Sequence, residues 1–328
     1  MKKRFSPCQF TLPSLSKSAA PVLASAALLS LASPARADGP ISHVDAVVNM
    51  EFANEYVTPR GMIVTDKGVT FQPLVLGLIN VYKSDGFLSD VTLVPGVWND
   101  FSSSQVSKTG PTYKTQPTTQ WVEIDPIAGV SFTMAKRFTL SVTWTEFNMQ
   151  VLDIATSQHL DTKLAFDDSD YLKAFALHPY FEYWQELDGK ATDADLPASI
   201  GITPENSAAK HPAPGSSYYF ELGVAPGYTF QKFANVRIEA PCRVLLPDER
   251  FYGDFYGKSS TVGLFELGLK ATVPMNFMPQ GYGHWSFHTG FRYMNMVDDN
   301  LYHLNEFNAP NAPKRETFQY YAGINIFF

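Results

Sequence analysis

The last strand-length segment of the chain constrains its fold more than any other feature. Between Phe318 and Phe328 every second residue is apolar, and the residues between them are more polar. The apolar set is Phe318, Tyr320, Ala322, Ile324, Ile326 and Phe328; the other is Gln319, Tyr321, Gly323, Asn325 and Phe327. A period of two predicts a β-strand with one apolar face and one wetter face.

The N-terminal segment has the regions of a secretory signal peptide in their usual order. A basic stretch precedes an apolar run over 19–32, and an A-x-A cleavage motif ends at Ala37. The run is shorter than the roughly 20 residues that a transmembrane helix needs. We therefore expect cleavage before Asp38, with a signal peptide at 1–37 and one mature domain at 38–328.

The composition of the mature chain argues against several function classes. Without the first 37 residues it has 20 basic and 32 acidic side chains. This acidic balance argues against a nucleic-acid partner, which requires a basic surface. Cys242 is then the single cysteine, so neither an internal disulfide nor a cysteine-based metal site is expected.

The rest of the sequence favours strands over membrane helices. No apolar segment of helix length follows residue 37. A chain that crosses a membrane without such helices does so as a closed β-barrel, because unpaired backbone groups are too costly in lipid. Alternating segments predict an antiparallel up-and-down barrel of about twelve strands, an even number typical of bacterial barrels. The segments are 44–57, 69–82, 90–101, 120–132, 138–149, 170–177, 180–187, 217–231, 235–246, 260–273, 283–296 and 317–328.

The predicted connections alternate in length. Short turns fall near 83–89, 133–137, 178–179, 232–234 and 274–282, and longer segments at 58–68, 102–119, 150–169, 188–216, 247–259 and 297–316. This alternation is typical of short periplasmic turns and long outer loops. It requires a division of 170–187 at His178-Pro179; read as one strand, that region gives eleven strands. Proline lacks a ladder donor and suits a turn there.

The segment 217–231 indicates what surrounds its apolar face. Tyr218 and Phe220 at one end and Tyr228 and Phe230 at the other flank aliphatic residues on the same face. Aromatic residues at both ends are typical of a strand that faces lipid. A soluble β-sandwich also alternates but does not explain this placement, and the segments between strands lack the helical period of an α/β fold.

Two segments resemble outer-membrane proteins. The sequence YVTPRGMIVTD over 56–66, followed by Phe71-Gln72-Pro73, resembles the opening hairpin of TorF-type outer-membrane porins, a family of small bacterial outer-membrane barrels. Those proteins have an aromatic residue, Arg-Gly, Thr-Asp near the loop tip and a Gln on the return strand; here Thr58-Pro59 replaces the aromatic residue before Arg60. The aromatic C-terminus, Phe328, is similar to the strand that such barrels present to their assembly machinery.

The resemblance implies a Gram-negative outer-membrane barrel without established catalytic residues and with no assigned solute. Arg60 is expected to fold over the rim or pair with a loop carboxylate. A direct role in solute contact is the alternative.

Inward faces are where a barrel of this kind carries its function. The predicted phase directs fourteen polar or charged side chains inward, and eleven are candidates for lining a pore. These candidates are Glu51, Glu123, Asp125, Glu221, Arg237, Glu239, Arg243, Glu266, Lys270, His288 and Arg292; Asp45, Glu55 and Glu182 share the inner face.

Two interpretations of these charges remain open. They pair across strands and stiffen the wall, or they form a transverse field between a basic wall on the ninth to eleventh strands and an acidic one on the first and fourth. Twelve strands lie between the filled eight-stranded barrel and the open channel of 16–18 strands. The loops 188–216 and 297–316 are long enough to fold inward and narrow the lumen.

Signals for catalysis or metal binding are weak. No G-x-S-x-G, H-E-x-x-H or P-loop pattern occurs. His284 and His288 share a strand face but lie about 13 Å apart at a rise of about 3.3 Å per residue, too far for one ion with ligand distances of about 2 Å. Acidic loop residues such as Asp167 and Asp168 are interpreted as solvated charge, with divalent cation binding as the alternative. We expect no catalytic residues, no metal and no cofactor.

The sequence therefore predicts an outer-membrane, porin-like channel for passive diffusion of small hydrophilic solutes. An occluded barrel with a structural or adhesive role through its outer loops is the first alternative, and an outer-membrane enzyme is the second. Expected partners are the lipid bilayer and lipopolysaccharide, the barrel assembly machinery through Phe328, and small hydrophilic solutes or ions; no nucleic acid is expected.

Overall fold

The computed structural model of the chain describes most of the predicted mature domain. The described residues are 43–107, 118–151, 156–188, 217–249, 251–252, 260–279, 281–308 and 315–328. The predicted signal peptide at 1–37, its cleavage site and the loop 189–216 lie outside them.

The described residues form strands, two helices and a short 3-10 turn. The strands are β1 (His43–Ala53), β2 (Tyr56–Val57), β3 (Ile63–Thr65), β4 (Thr70–Lys83), β5 (Leu88–Ser107), β6 (Thr118–Met134), β7 (Phe138–Met149), β8 (Ser157–Phe166), β9 (Tyr180–Asp188), β10 (Tyr218–Val224), β11 (Gly227–Phe230), β12 (Val236–Glu239), β13 (Cys242–Pro247), β14 (Leu264–Pro274), β15 (His284–Met296) and β16 (Glu316–Phe327). The helices are α1 (Ser169–Leu172) and α2 (Asp299–Asn308), and the 3-10 turn is Lys173–Phe175.

Fourteen of these strands make one closed antiparallel sheet, and β2 and β3 form a separate two-stranded sheet. Neighbours in the chain pair in sequence, β14 pairs with β15, and β1 pairs with β16 to close the barrel. Strands β10 and β11 are one strand broken before Pro226, and β12 and β13 are one strand broken before Pro241, because proline cannot donate to the ladder. The described barrel therefore has twelve strands, and the predicted fold class is confirmed.

The two ends of the barrel differ. Phe328 donates its backbone N–H to Ala46 (2.9 Å), so the first and last strands meet at the end that also holds the turns 84–87, 135–137 and 231–235. We call this the short-turn end. The opposite end carries the connections that include 54–69, 248–263 and 297–315, and we call it the long-loop end.

The alternation of the strands is confirmed by burial. Phe220, Leu222 and Tyr228 are exposed on the outside of the wall, whereas Glu221 between the first two is 3% exposed. The exterior is thus apolar and the interior polar at this level, which is the arrangement of a strand that faces lipid on one side.

In the described ranges no helix is both long and apolar enough to cross a membrane.

The predicted sixth strand is wrong. Residues 170–177 form part of α1 and the 3-10 turn, and the strand at that place in the barrel is β8, over 157–166. In β8, Ser157, His159, Asp161 and Lys163 face inward, so its inner face is polar and its alternation is easy to overlook. The turn predicted at His178-Pro179 is instead the end of a longer connection over 167–179.

Two of the predicted strands have different bounds in the structure. Strand β1 ends at Ala53 rather than at residue 57, because Tyr56-Val57 leaves the wall and pairs with 63–65. The tenth barrel strand, β14, begins at Leu264 rather than at residue 260.

Candidate functional site: the lumen and its plug

The structure places the predicted pore-lining residues on the inner face of the barrel. All are buried except Arg237, which is half-buried. Glu55 and Glu182 are also buried, and Asp45 is half-buried near the short-turn end. Whether these residues line an open pore stays a prediction.

One half of the inner face is a network of ion pairs. Arg243 donates from Nη1 to Glu221 (2.6 Å) and from Nη2 to Glu266 (2.6 Å). Tyr180 donates its hydroxyl to the other oxygen of Glu221 (2.6 Å). One guanidinium thus ties together β10, β13 and β14 with strong, charge-assisted hydrogen bonds.

A second group of contacts continues this network across the barrel closure. Arg292 on β15 donates to Glu51 on β1 (3.1 Å) and to Gln319 on β16 (2.5 Å). His288 Nε2 lies 3.2 Å from the other Glu51 oxygen, and Asn325 lies 3.0 Å from His288 Nδ1.

The remaining bases of this half also have acidic neighbours. Arg237 donates to Glu239 (2.6 Å), and Lys270 interacts electrostatically with Glu239 and Glu51. We call this half the paired wall; its members are Glu51, Glu221, Arg237, Glu239, Arg243, Glu266, Lys270, His288 and Arg292. Acids and bases alternate within it, so it is not a purely basic wall.

Another part of the lumen, on β5 and β6, carries carboxylates, and these two strands contain no lysine or arginine. Asp100 on β5 lies opposite Glu123 on β6 in the strand register, and Asp125 follows on the same face. Their hydrogen-bond donors are neutral: Gln72 to Asp100 (3.0 Å), Tyr56 to Glu123 (2.5 Å) and the Asn148 backbone to Asp125 (3.3 Å). We call Asp100, Glu123 and Asp125 the acidic cluster.

Among the described residues, each region has one buried carboxylate oxygen without a hydrogen-bond partner, Glu239 Oε2 in the paired wall and Asp100 Oδ2 in the acidic cluster. Asp100 was not among the predicted pore-lining residues. The alternation of the strand was the available signal, because Asp100 lies two residues after Trp98 and therefore on the same face.

Part of the lumen is apolar, which the sequence analysis missed. Leu74, Leu76 and Leu78 of β4 point inward and pack with Val94 and Ile127. Their spacing of two was the available signal, but it does not distinguish an inner from an outer face. Between the acidic cluster and the short-turn end, this side of the barrel is therefore filled with aliphatic side chains.

Three described segments of the connections at the long-loop end pack against the inner face of the wall. We call residues 56–65, Phe251-Tyr252 and α2 the plug. It shares a hydrophobic cluster with the wall, made of Val57, Met62, Ile63, Trp184, Tyr219, Leu245, Phe251, Tyr252, Leu264, Met294, Met296, Leu301 and Leu304. The prediction that 297–316 is long enough to fold inward agrees with the position of α2.

Three polar contacts hold the plug together. Ile63 donates its backbone N–H to Asn305 Oδ1 (2.9 Å), and Asn305 Nδ2 donates to the Gly61 carbonyl (2.9 Å). Tyr252 donates its hydroxyl to the Arg60 carbonyl (2.8 Å). Gly61 has φ +89° and a Cβ there would lie 3.0 Å from Leu301, so this tip requires glycine.

Arg60, at the tip of the plug, reaches the inner wall. Its guanidinium carbon lies 4.8 Å from the ring centre of Phe147 and 5.1 Å from that of Trp184. The side chain is 5% exposed, and Nε and Nη1 have no hydrogen-bond partner. Arg60 therefore neither folds over the rim nor makes an ion pair with a described loop carboxylate.

A serine and a histidine meet on β8, where no strand was predicted. Ser157 Oγ and His159 Nε2 are hydrogen-bonded, and His159 stacks on Trp184 with ring centres 4.2 Å apart. His159 Nδ1 has no partner in the part of the chain that the structure describes, so no acid orients the ring as in a catalytic triad. Both side chains are buried.

The acidic residues at 167–168 have a structural role. Asp168 accepts the backbone N–H groups of Leu177 and His178 (2.9 Å each), and Asp167 accepts that of Ser169 (3.0 Å). These oxygens and the His178 ring lie within 4.8 Å of one another, a spacing that a metal ion could occupy. The carboxylates of Asp167 and Asp168 are explained by these hydrogen bonds, which fix the shape of the turn.

Comparisons with known proteins give matches at low similarity. No family model matches the chain, and no curated protein matches it. The solved structures that it resembles include an outer-membrane channel from Pseudomonas putida F1, with 12% identity, a TM-score of 0.43 and coverage of 90% of this chain and 100% of that one. OprB of Pseudomonas putida gives 9% identity, a TM-score of 0.38 and coverage of 87% and 93%. At these values no function is transferred from either protein.

The chain's own fold defines its class. A closed antiparallel barrel with an apolar exterior and a polar interior is the architecture of outer-membrane β-barrel proteins. Membership of the TorF-type family stays a prediction.

Proposed function

We propose that this protein is an outer-membrane channel for small hydrophilic solutes whose long-loop end is closed by the plug. The supporting observation is a transmembrane-type barrel with charged side chains inside, covered by connections that are separate from the wall. A lumen that served only as structural filling would not need charges, because replacing buried ion pairs by apolar residues is often neutral or stabilising. Passive diffusion would require the plug to move.

We further propose an orientation and a set of partners. The short-turn end faces the periplasm and the long-loop end faces the exterior, as in bacterial barrels of this class. The exposed apolar band contacts lipid, and the outer loops contact lipopolysaccharide. Phe328 is 53% exposed at the end of β16, which suits recognition by the assembly machinery.

The competing function is an occluded structural or adhesive barrel. Its support is that the wall residues Glu221, Arg243 and Glu266 are each at most 5% exposed, as expected of a filled lumen. The two functions differ in whether the plug moves out of the long-loop end of the barrel. A catalytic function has weaker support, since the buried Ser157–His159 pair lacks an orienting acid.

Single-channel conductance in a planar bilayer tests the proposal. We expect the refolded mature chain to show rare, discrete openings, and Asn305→Ala to open about thirtyfold more often, because it removes two hydrogen bonds worth roughly 1 kcal/mol each. Asn276→Ala, in an exposed turn at the opposite end, is the matched control and should behave like the unmodified chain.

Permanent silence from both correctly folded proteins would refute the channel. The occluded barrel would then be the function to pursue. A salt gradient across the same bilayer would give the ion preference of any open state.

A further inference from the structure

We infer that the site between the acidic cluster and the Phe147–Trp184 pair binds small organic cations, and that Arg60 occupies it in the closed state as a tethered substitute. This inference rests on the proposed channel function and names its solute class. The expected solutes carry a guanidinium or alkylammonium group.

The first support is the environment of Arg60. Its guanidinium lies over two aromatic rings at 4.8 and 5.1 Å, and the side chain is 95% buried. Aromatic faces attract cations, and the attraction grows when water is excluded. Burial of an arginine whose Nε and Nη1 have no hydrogen-bond partner has a high free-energy cost.

The second support is the arrangement of carboxylates beside these rings. Phe147 is one residue before Asn148, whose backbone N–H binds Asp125 (3.3 Å). The charge of Arg60 acts on both Glu123 and Asp125. Tyr56, from the same plug segment as Arg60, binds Glu123 (2.5 Å). The plug therefore brings a cation and a phenol to the same acidic cluster.

The third support is that other bases of the lumen already form ion pairs. Arg243, Arg292 and Arg237 each bind carboxylates of the paired wall, and Lys163 binds Glu182 (3.1 Å). Within the described residues, Arg60 is thus the base whose contacts are directed to the acidic side. Withdrawal of the plug would leave three carboxylates and two rings without a cation.

The same chemistry disfavours an anion at this site. A carboxylate or phosphate on the free edge of Arg60 would lie near Glu123 and Asp125, and like charges in a low-dielectric interior repel strongly. Aromatic rings next to carboxylates instead match the recognition of ammonium and guanidinium groups.

Binding of methylguanidinium to the full mature chain in detergent micelles tests the inference. Arg60→Ala vacates the site, and tryptophan fluorescence should report binding because Trp184 is one of its walls. We expect methylguanidinium to bind Arg60→Ala at least about tenfold more tightly than the unmodified chain, the equivalent of 1.4 kcal/mol. The double variant Arg60→Ala/Glu123→Gln should lose about that factor again, and acetate should not bind.

Arg315→Ala is the matched control. Arg315 also lies over an aromatic ring, Tyr302 (4.4 Å), and forms an ion pair with Asp299, but it is exposed outside the lumen. Its removal should leave methylguanidinium binding unchanged.

The outcomes separate this inference from the channel proposal. A folded Arg60→Ala chain that binds methylguanidinium no better than the unmodified chain overturns the inference, whatever the conductance. Binding without conductance supports the cation site and refutes the channel. Arg60→Gln repeats the measurement with a side chain that fills more space; if neither variant folds, Arg60 is a structural residue and the inference fails.

Discussion

The paired wall and the acidic cluster are two ways of burying charge in one lumen. In the paired wall Arg243 bridges Glu221 and Glu266, Arg292 binds Glu51 and Arg237 binds Glu239, so each arginine of this wall contacts a carboxylate. In the acidic cluster the donors to Asp100, Glu123 and Asp125 are an amide side chain, a phenol and a backbone N–H. The first arrangement compensates charge within the wall, whereas the second has no base among these donors.

This difference has a structural origin. The bases of the paired wall are on the strands that carry their partners, so the contacts form whenever the sheet closes. Arg60 is on a connection, 40 residues before Asp100 in the chain, and reaches the cluster only when the plug is in place. Wall stability and plug position are therefore expected to respond to different substitutions.

The largest effect is expected for Arg243→Met. It leaves Glu221 and Glu266 buried without their common partner, and breaking a buried pair in this way costs about 3–5 kcal/mol. The urea midpoint of folding into micelles should fall sharply. Lys136→Met, on an exposed turn, is the control; if the two variants unfold at the same urea concentration, the paired wall does not stabilise the barrel.

A pair of matched substitutions compares the two regions directly. Glu221→Gln weakens two hydrogen bonds with a charged acceptor and should cost about 1.5–3 kcal/mol. Glu123→Gln keeps an acceptor for Tyr56 and removes no ion pair, so we expect a loss below about 1 kcal/mol. Equal losses for the two in the same urea titration would show that the acidic cluster is as tightly compensated as the paired wall.

A smaller effect than that of Glu221→Gln is expected for Tyr252→Phe in the plug. Loss of the hydrogen bond to the Arg60 carbonyl should cost about 1 kcal/mol and increase channel opening without changing the unfolding of the wall. An opening frequency that does not change would place the Arg60–Tyr252 contact outside the mechanism of closure.

Tyr252 also gives the plug a dependence on pH. Burial, followed by the charge of Asp298, raises the pKa of Tyr252 above its usual value. A raised pKa means that its stabilising contribution is complete below the unfolded value of about 10 and is lost as pH rises above it. Channel opening should therefore increase above about pH 10, and Tyr252→Phe should remove that part of the increase.

Much of the barrel could be predicted from local pattern. Alternation with a period of two gave the phase of 218–224 and the inward direction of Glu221, because side chains on a strand point to opposite faces. The same rule also holds at 157–166, where Leu160 and Leu164 alternate with polar residues that the sheet buries, although no strand was predicted there. It does not decide the orientation of Leu74–Leu78, whose apolar side chains face inward. Period alone does not say which face meets lipid.

The sequence by itself determined the twelve-stranded barrel. The prolines in the eighth and ninth barrel strands interrupt these strands without changing their number. Only the tertiary structure decided which charges compensate each other. Arg292 and Glu51 are 241 residues apart, and Asn305 and Gly61 are 244 apart, so their contacts exist because the barrel closes and the connections fold into it. A local pattern fixes the direction of a side chain, whereas its partner depends on closure of the whole sheet.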